Sequence, residues 1–259
     1  MTELEDRHFT SQQAQLGRDG FCILPKVLSP DTVAWMREKT RANVALMGQT
    51  RDCATSYHLA GFHRFSAFEG MARLIATNPT LRAFLDAHFT HEVWGEIGLT
   101  DITVNRSQHW HTDLLRGKYA QHLQEVDPWE QSHAPCIKAL AYLQDGKSLR
   151  IVSGSHLDPT PLDDVALEDL ANTETVTQLE VQAGDIVLMD IRALHRGSTD
   201  QEMTAPTLAV DPKILVSMVF GQTSSDFVRA METGNARRMA EWDGAHLPET
   251  ARENLLARA

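Results

Sequence analysis

Five short apolar runs constrain the fold of this chain more than any other feature. CIKALAYLQD, SLRIVSGSH, TVTQLEVQ, GDIVLMD and KILVSMVFG fall between residues 136 and 221. Each has strand length, and most carry β-branched residues bounded by polar or glycine-containing turns. A longer stretch with partial alternation, VWGEIGLTDITVNRSQHWHTD, precedes them. Many short strands in succession fit a sheet closed or sandwiched on itself.

The flanks read as helix. FTSQQAQLGRDG fits a helix from about Ser11 stopped by Gly20, followed by a short strand in FCILPKVL. In SPDTVAWMREKTRANVALMG, Ser29 can cap, Pro30 suits the first helical position, Asp31 favours the positive end of the dipole and Gly48 suits the stop. Asn78 and Pro79 repeat that pattern, and helix returns from about Ser225 to the end. The expected architecture is therefore mainly β with flanking helices, in one domain over 1–259. Residues 1–92 would form a mostly helical buttress, 93–221 the β core and 222–259 the C-terminal helices.

The formal net charge is −11, and a surface that acidic repels a phosphate backbone, which argues against nucleic acid as a partner. No apolar run approaches the roughly 20 residues of a membrane span. Three widely spaced cysteines form no CxxC pair and suggest a reducing, cytoplasmic setting. GxSxG, GxxxxGK[ST], HExxH and GxGxxG are all missing.

The chemistry-bearing stretch is HWHTDLL, residues 109–115. On a strand, His111 and Asp113 point to one face, so an imidazole and a carboxylate project together. His195, in GDIVLMDIRALHRGS, is the best candidate for a third ligand. Two histidines and one carboxylate leave open positions on a metal and suit non-haem Fe(II) oxygenases. Zinc accepts the same donors, so a divalent-metal hydrolase or isomerase is a second reading, and a non-catalytic binding protein a third.

These features, taken in order, resemble the phytanoyl-CoA dioxygenase-like family of Fe(II)/2-oxoglutarate-dependent oxygenases. LGRDGFCILPKVLSPDTVAWMRE looks like the family's opening, and HTD like its proximal ligand pair. LAYLQDGKSLRIVSGSH looks like its middle strands, with Ser153 in place of the proline of a Pro-Gly-Ser-His signature. AGDIVLMDIRALHRGS resembles the strand bearing the distal histidine. The resemblance implies a double-stranded β-helix (jelly-roll, cupin-like) core. It implies Fe(II) on His111, Asp113 and His195, with 2-oxoglutarate and O₂ as co-substrates and succinate and CO₂ as co-products. His109 is then a bystander. Related halogenases carry Gly or Ala in place of the aspartate, so Asp113 favours hydroxylation or another oxidation of a small molecule.

The family usually places an arginine about ten residues after the distal histidine to hold the oxoacid. This chain has none there, and Lys213, at the start of the last core strand, is the leading substitute. Arg192, Arg196 and Lys138 are its rivals. For substrate contact the candidates are Arg116 and Tyr119, in the loop after Asp113, and Arg64, in the aromatic and basic YHLAGFHRFSAF. His156 reads as a structural residue after a turn, and Trp110 as core.

Overall fold

A computed structural model describes residues 9–50, 55–90, 92–130, 134–159, 164–204 and 210–255. In chain order the elements are α1 (Thr10–Asp19), β1 (Phe21–Leu24), α2 (Pro30–Ala42), β2 (Gly48–Gln49), β3 (Tyr57–Ala60), α3 (Glu69–Ala76) and α4 (Pro79–His88). Then come β4 (Trp94–Val104), β5 (Cys136–Tyr142), β6 (Arg150–Val152), α5 (Asp164–Thr173), β7 (Val176–Gln178), β8 (Ile186–Asp190), β9 (His195–Arg196) and β10 (Ile214–Gln222). The chain closes with α6 (Asp226–His246) and α7 (Glu249–Arg252).

The helix punctuation acts as the sequence suggests. Ser29 Oγ accepts from Thr32 N, and Asn78 Oδ1 accepts from Thr80 N and Leu81 N, so two helix starts satisfy their orphan donors locally. Gly20 ends α1 in the left-handed conformation, φ +83°. Gly48 does not end α2. That helix stops at Ala42, and residues 44–46 tighten into a 3₁₀ turn that leads Gly48 into β2.

Seven strands form one sheet in the order β1-β8-β5-β10-β4-β3-β2, and three form a second in the order β7-β6-β9. All pairings between these strands are antiparallel. The larger sheet alternates with period two. Ile137, Ala139 and Ala141 pack in the main core with α2, α3 and α4 residues such as Met36, Met71 and Phe84. Leu140 and Tyr142 point the other way and meet Leu149 and Ile151 of the smaller sheet's side. The strand core is not confined to 93–221. β1, β2 and β3 extend the large sheet on both sides, because their buried residues Cys22, Leu24 and Leu59 join the same core.

Residues 93–113 are not one strand. β4 ends at Val104, and Asn105 takes φ +47°. Its backbone N donates to Lys213 O, and its Oδ1 accepts from Lys213 N. The left-handed asparagine turns the chain off the large sheet, and the next segment reaches the small one through single bridges, Ser107 to Ser198 and His111 to His195. This reversal carries the HWHTDLL stretch to its place.

Gly184 begins the turn before β8 at φ +94°, and a Cβ there would lie 2.4 Å from Leu28 O. Gly184→Ala is expected to lose about 2 kcal/mol or more through clash and backbone strain. Thermal unfolding should show a Tm lower by about 4–8 °C; an unchanged Tm would contradict this.

Candidate metal centre

His195 opens β9 at the edge of the small sheet, and His111 is bonded directly opposite it. Each backbone N donates to the other's carbonyl at 2.9 Å. This register sets the rings side by side, with centroids 4.2 Å apart. Asp113 N donates to Ile191 O at 2.9 Å, which pins the carboxylate beside them. One donor atom from each of His111, Asp113 and His195 lies within 4.8 Å of the other two. The turn after β6 steadies the distal histidine: Ser155 Oγ accepts from Leu194 N, and Val152 N donates to Leu194 O.

Both imidazoles are oriented by backbone carbonyls. His111 Nδ1 donates to His109 O at 2.8 Å, and His195 Nδ1 donates to Ala193 O at 2.9 Å. Each Nε2 is thereby left as a lone pair, the arrangement metal-bound histidines use. Burial lowers both histidine pKa values, and for His111 the neighbouring His195 lowers it further. Both rings are neutral at neutral pH, as ligation requires. Burial pushes Asp113 up, but Lys138 and the two histidines outweigh it and hold the carboxyl well below its usual range. Asp113 Oδ2 is buried without a hydrogen-bond partner, 3.7 Å from His195 Nε2. An unpartnered buried carboxylate oxygen beside two imidazole lone pairs fits a divalent cation.

A cavity lined by residues of both sheets reaches from His195 to Lys213. His195, Lys138, Leu140, Tyr142, Ser217 and Lys213 lie along it, with Arg106 and Asp101 on the β4 side. Lys213 Nζ donates to Ser198 Oγ at 2.6 Å and to Ser148 Oγ. Among the described residues no carboxylate lies within ion-pair distance of it. Burial therefore pulls its pKa down to about 8, with Glu202 opposing weakly.

The other cations suggested by the sequence lie elsewhere. Arg192 does not reach the cavity. It is buried against Asp190, with Nη2 2.6 Å from Oδ2, and Nη1 donates to Pro128 O. Arg196 follows His195 on the strand and so faces the opposite way. It lies over the Trp110 ring, 5.6 Å from its centroid. Arg64 is held in the ion pair with Asp243 of α6, at 2.7 Å, and donates to the Ala60 and Gly61 carbonyls. Tyr119 Oη donates to Glu241 of the same helix at 2.6 Å. Arg116 is partly buried, and its charge acts on His195 after burial, Asp113 and Lys138. His109 is exposed and lends its carbonyl alone to the triad. His156 Nε2 donates to Gly17 O and ties the turn after β6 to α1. Arg106, which follows the Asn105 reversal, is not among the candidates the sequence suggests. Ser148 and Ser198 carry no sequence signal, since hydroxyls at strand ends are common.

Two facing antiparallel sheets, with two histidines and a carboxylate converging on the smaller one, define the jelly-roll class of metal-dependent oxygenases. The model of the phytanoyl-CoA dioxygenase (PhyH) family matches residues 16–201, well over half of the sequence. The chain belongs to this family, and it is an iron- and 2-oxoglutarate-dependent enzyme; His111, Asp113 and His195 form a cluster that could hold a metal ion. The match ends before Lys213, in the stretch where the usual arginine spacing is missing.

Solved structures agree in fold. The epimerase SnoN in complex with Fe³⁺, alpha ketoglutarate and nogalamycin RO is 17% identical, with a TM-score of 0.60, covering 86% of this chain and 89% of its own. HygX from Streptomyces hygroscopicus, with nickel, 2-oxoglutarate and hygromycin B bound, is 18% identical, with a TM-score of 0.59 over 83% and 88%. EctD from S. alaskensis, with 2-oxoglutarate and 5-hydroxyectoine, is 18% identical, with a TM-score of 0.60 over 83% and 76%. No curated protein matches the sequence. No helix among the described residues is long and apolar enough to cross a membrane.

Proposed function

We propose that this chain hydroxylates a small organic molecule, consuming 2-oxoglutarate and O₂ and releasing succinate and CO₂. His111, Asp113 and His195 hold the iron, and Lys213 receives the far carboxylate of the oxoacid. The observation that carries this reading is a His-Asp-His donor set whose His195 lines the same cavity as a partly buried ammonium, Lys213, that has only hydroxyl partners among the described residues.

Iron with 2-oxoglutarate and O₂ supplies the oxidising power when bound. The chain's own residues position and exclude. The Ala193 and His109 carbonyls keep both Nε2 atoms aimed at the metal position. Ser148 and Ser198 hold Lys213 Nζ in place before any anion arrives, so little reorganisation is needed on binding. A lysine neutralises the carboxylate as a point charge, without the bidentate fork of an arginine. Leu140, Tyr142 and Leu149 line the cavity wall and restrict water. Asp113 occupies the position that a halide would need, which favours oxygen insertion over halogenation. Arg116 is the residue we assign to the substrate side, because it lies in the loop after Asp113 and its charge reaches His195. Cys22 and Cys136 are free buried thiols, which suits a reducing cytoplasm.

The buried ammonium also separates this reading from a zinc hydrolase, which has no need of a cation at the far end of the cavity. The test is turnover under air with Fe(II) and 2-oxoglutarate. Succinate release above a metal-free control supports the oxygenase. Hydrolysis sustained by zinc, with no succinate, would replace it.

Lys213 gives a pH signature. Its charged form is needed to bind the oxoacid, and its pKa is about 8. Affinity for 2-oxoglutarate should be flat below about pH 8 and fall up to about tenfold per pH unit above it. Lys213→Arg stays charged and should abolish this dependence. A parent affinity that is flat to pH 10 would exclude Lys213 as the anchor. In the metal-free protein the sign differs. The unfolded chain binds more protons between about pH 8 and 10.5, so Lys213 makes stability rise with pH across that window.

A further inference from the structure

The iron reading needs three donors from three residues, yet a carboxylate can offer two oxygens by itself. If Asp113 gave both, it would fill a position that the oxoacid or O₂ requires. The structure contains a device that separates the two oxygens. Lys138 rises from β5, beside Val219 of β10 and Met189 of β8, and its ammonium meets Asp113 Oδ1 at 2.7 Å. Oδ2 is left on the imidazole side, buried and unpartnered. The Lys138 side chain is 11% exposed and that of Asp113 18%, so water competes little for this bond. Asp113 is the sole carboxylate with which Lys138 forms an ion pair among the described residues.

We propose that Lys138 is a positioning residue that withholds Asp113 Oδ1 from the metal and so makes Asp113 a one-oxygen ligand. This rests on the iron and 2-oxoglutarate reading above, and it removes Lys138 from the contest for the oxoacid's far carboxylate. The sheet geometry supports the division of labour. Lys138 sits at the level of Val219, and Lys213 immediately precedes β10 at its opposite end, so the two cations serve different ends of one cavity. An ammonium suits the task because it is a compact point charge that meets one oxygen, whereas the planar fork of an arginine would engage both. Charge matters less here than the direction of one bond.

The test uses full-length protein under anaerobic conditions, with Fe(II) alone and then with saturating 2-oxoglutarate. Bound iron per chain, and the visible charge-transfer absorption of an Fe(II)–oxoacid chelate, are read in the parent, Lys138→Met and Lys138→Gln. Lys138→Met is expected to keep iron within about threefold of the parent affinity and to lose at least about half of the chelate absorption. Lys138→Gln, which keeps a donor at slightly shorter reach, should recover most of that loss, and it serves alone should the methionine variant not fold. A parent-like chelate spectrum in Lys138→Met would overturn the proposal, as would loss of the iron itself, since all three ligands remain. A parent that binds iron but shows no chelate absorption would instead sink the underlying oxygenase reading.

Discussion

Replacing His111 or His195 by alanine is expected to strip the protein of iron and of turnover together. Each variant removes one of three converging donors and leaves Asp113 Oδ2 without the partner set that a metal completes. Loss of an outer partner of a metal ligand costs about 10–100-fold in metal affinity, so loss of a ligand should cost more than about 100-fold. Iron should fall from about one per chain to a trace after dialysis. His109→Ala is the control. Its side chain is exposed and its contribution to the site is a backbone carbonyl, which alanine keeps. Iron affinity there should stay within about twofold. Metal analysis of the three variants decides the matter. Iron lost in His109→Ala and kept in His111→Ala would reverse the ligand assignment.

Lys213→Met should separate ligand affinity from stability. At pH 7 the parent holds a charge in surroundings that lower its pKa from 10.5 to about 8, which costs about 3 kcal/mol in the ligand-free fold. Methionine of similar length removes that cost, so the metal-free variant should melt no lower than the parent. Losing one partner of a buried charge pair costs about 2 kcal/mol or more, so affinity for 2-oxoglutarate should fall at least about thirtyfold. Calorimetry on the same preparation reads both quantities. An unchanged affinity would move the anchor to Arg106, which also lines the cavity, Lys138 being engaged by Asp113.

The helix caps at Ser29 and Asn78 are local signals, and the chain obeys them because each is satisfied within a few residues. The ligand stretch stood out for a different reason. His-x-Asp alone is a weak signal, family-like segments in the right order raise it, and one register, His111 opposite His195, suffices to join the histidines. What sequence conceals is pairing at long range. Arg64 and Tyr119 looked free because their partners Asp243 and Glu241 lie far along the chain, on the C-terminal helix. Arg192 is claimed by Asp190, two residues away, a pairing that a candidate list of cations does not reveal. The Asn105 reversal was invisible in an otherwise β-favouring run, since an occasional left-handed asparagine leaves no periodic trace.

The most direct test of the account is calorimetric titration of 2-oxoglutarate into anaerobic protein, with and without Fe(II). The account predicts one site per chain, with affinity at least about tenfold higher when Fe(II) is present, because the metal and Lys213 hold opposite ends of the same molecule. Binding of equal strength without the metal, or no binding with it, would contradict the assignment of this cavity.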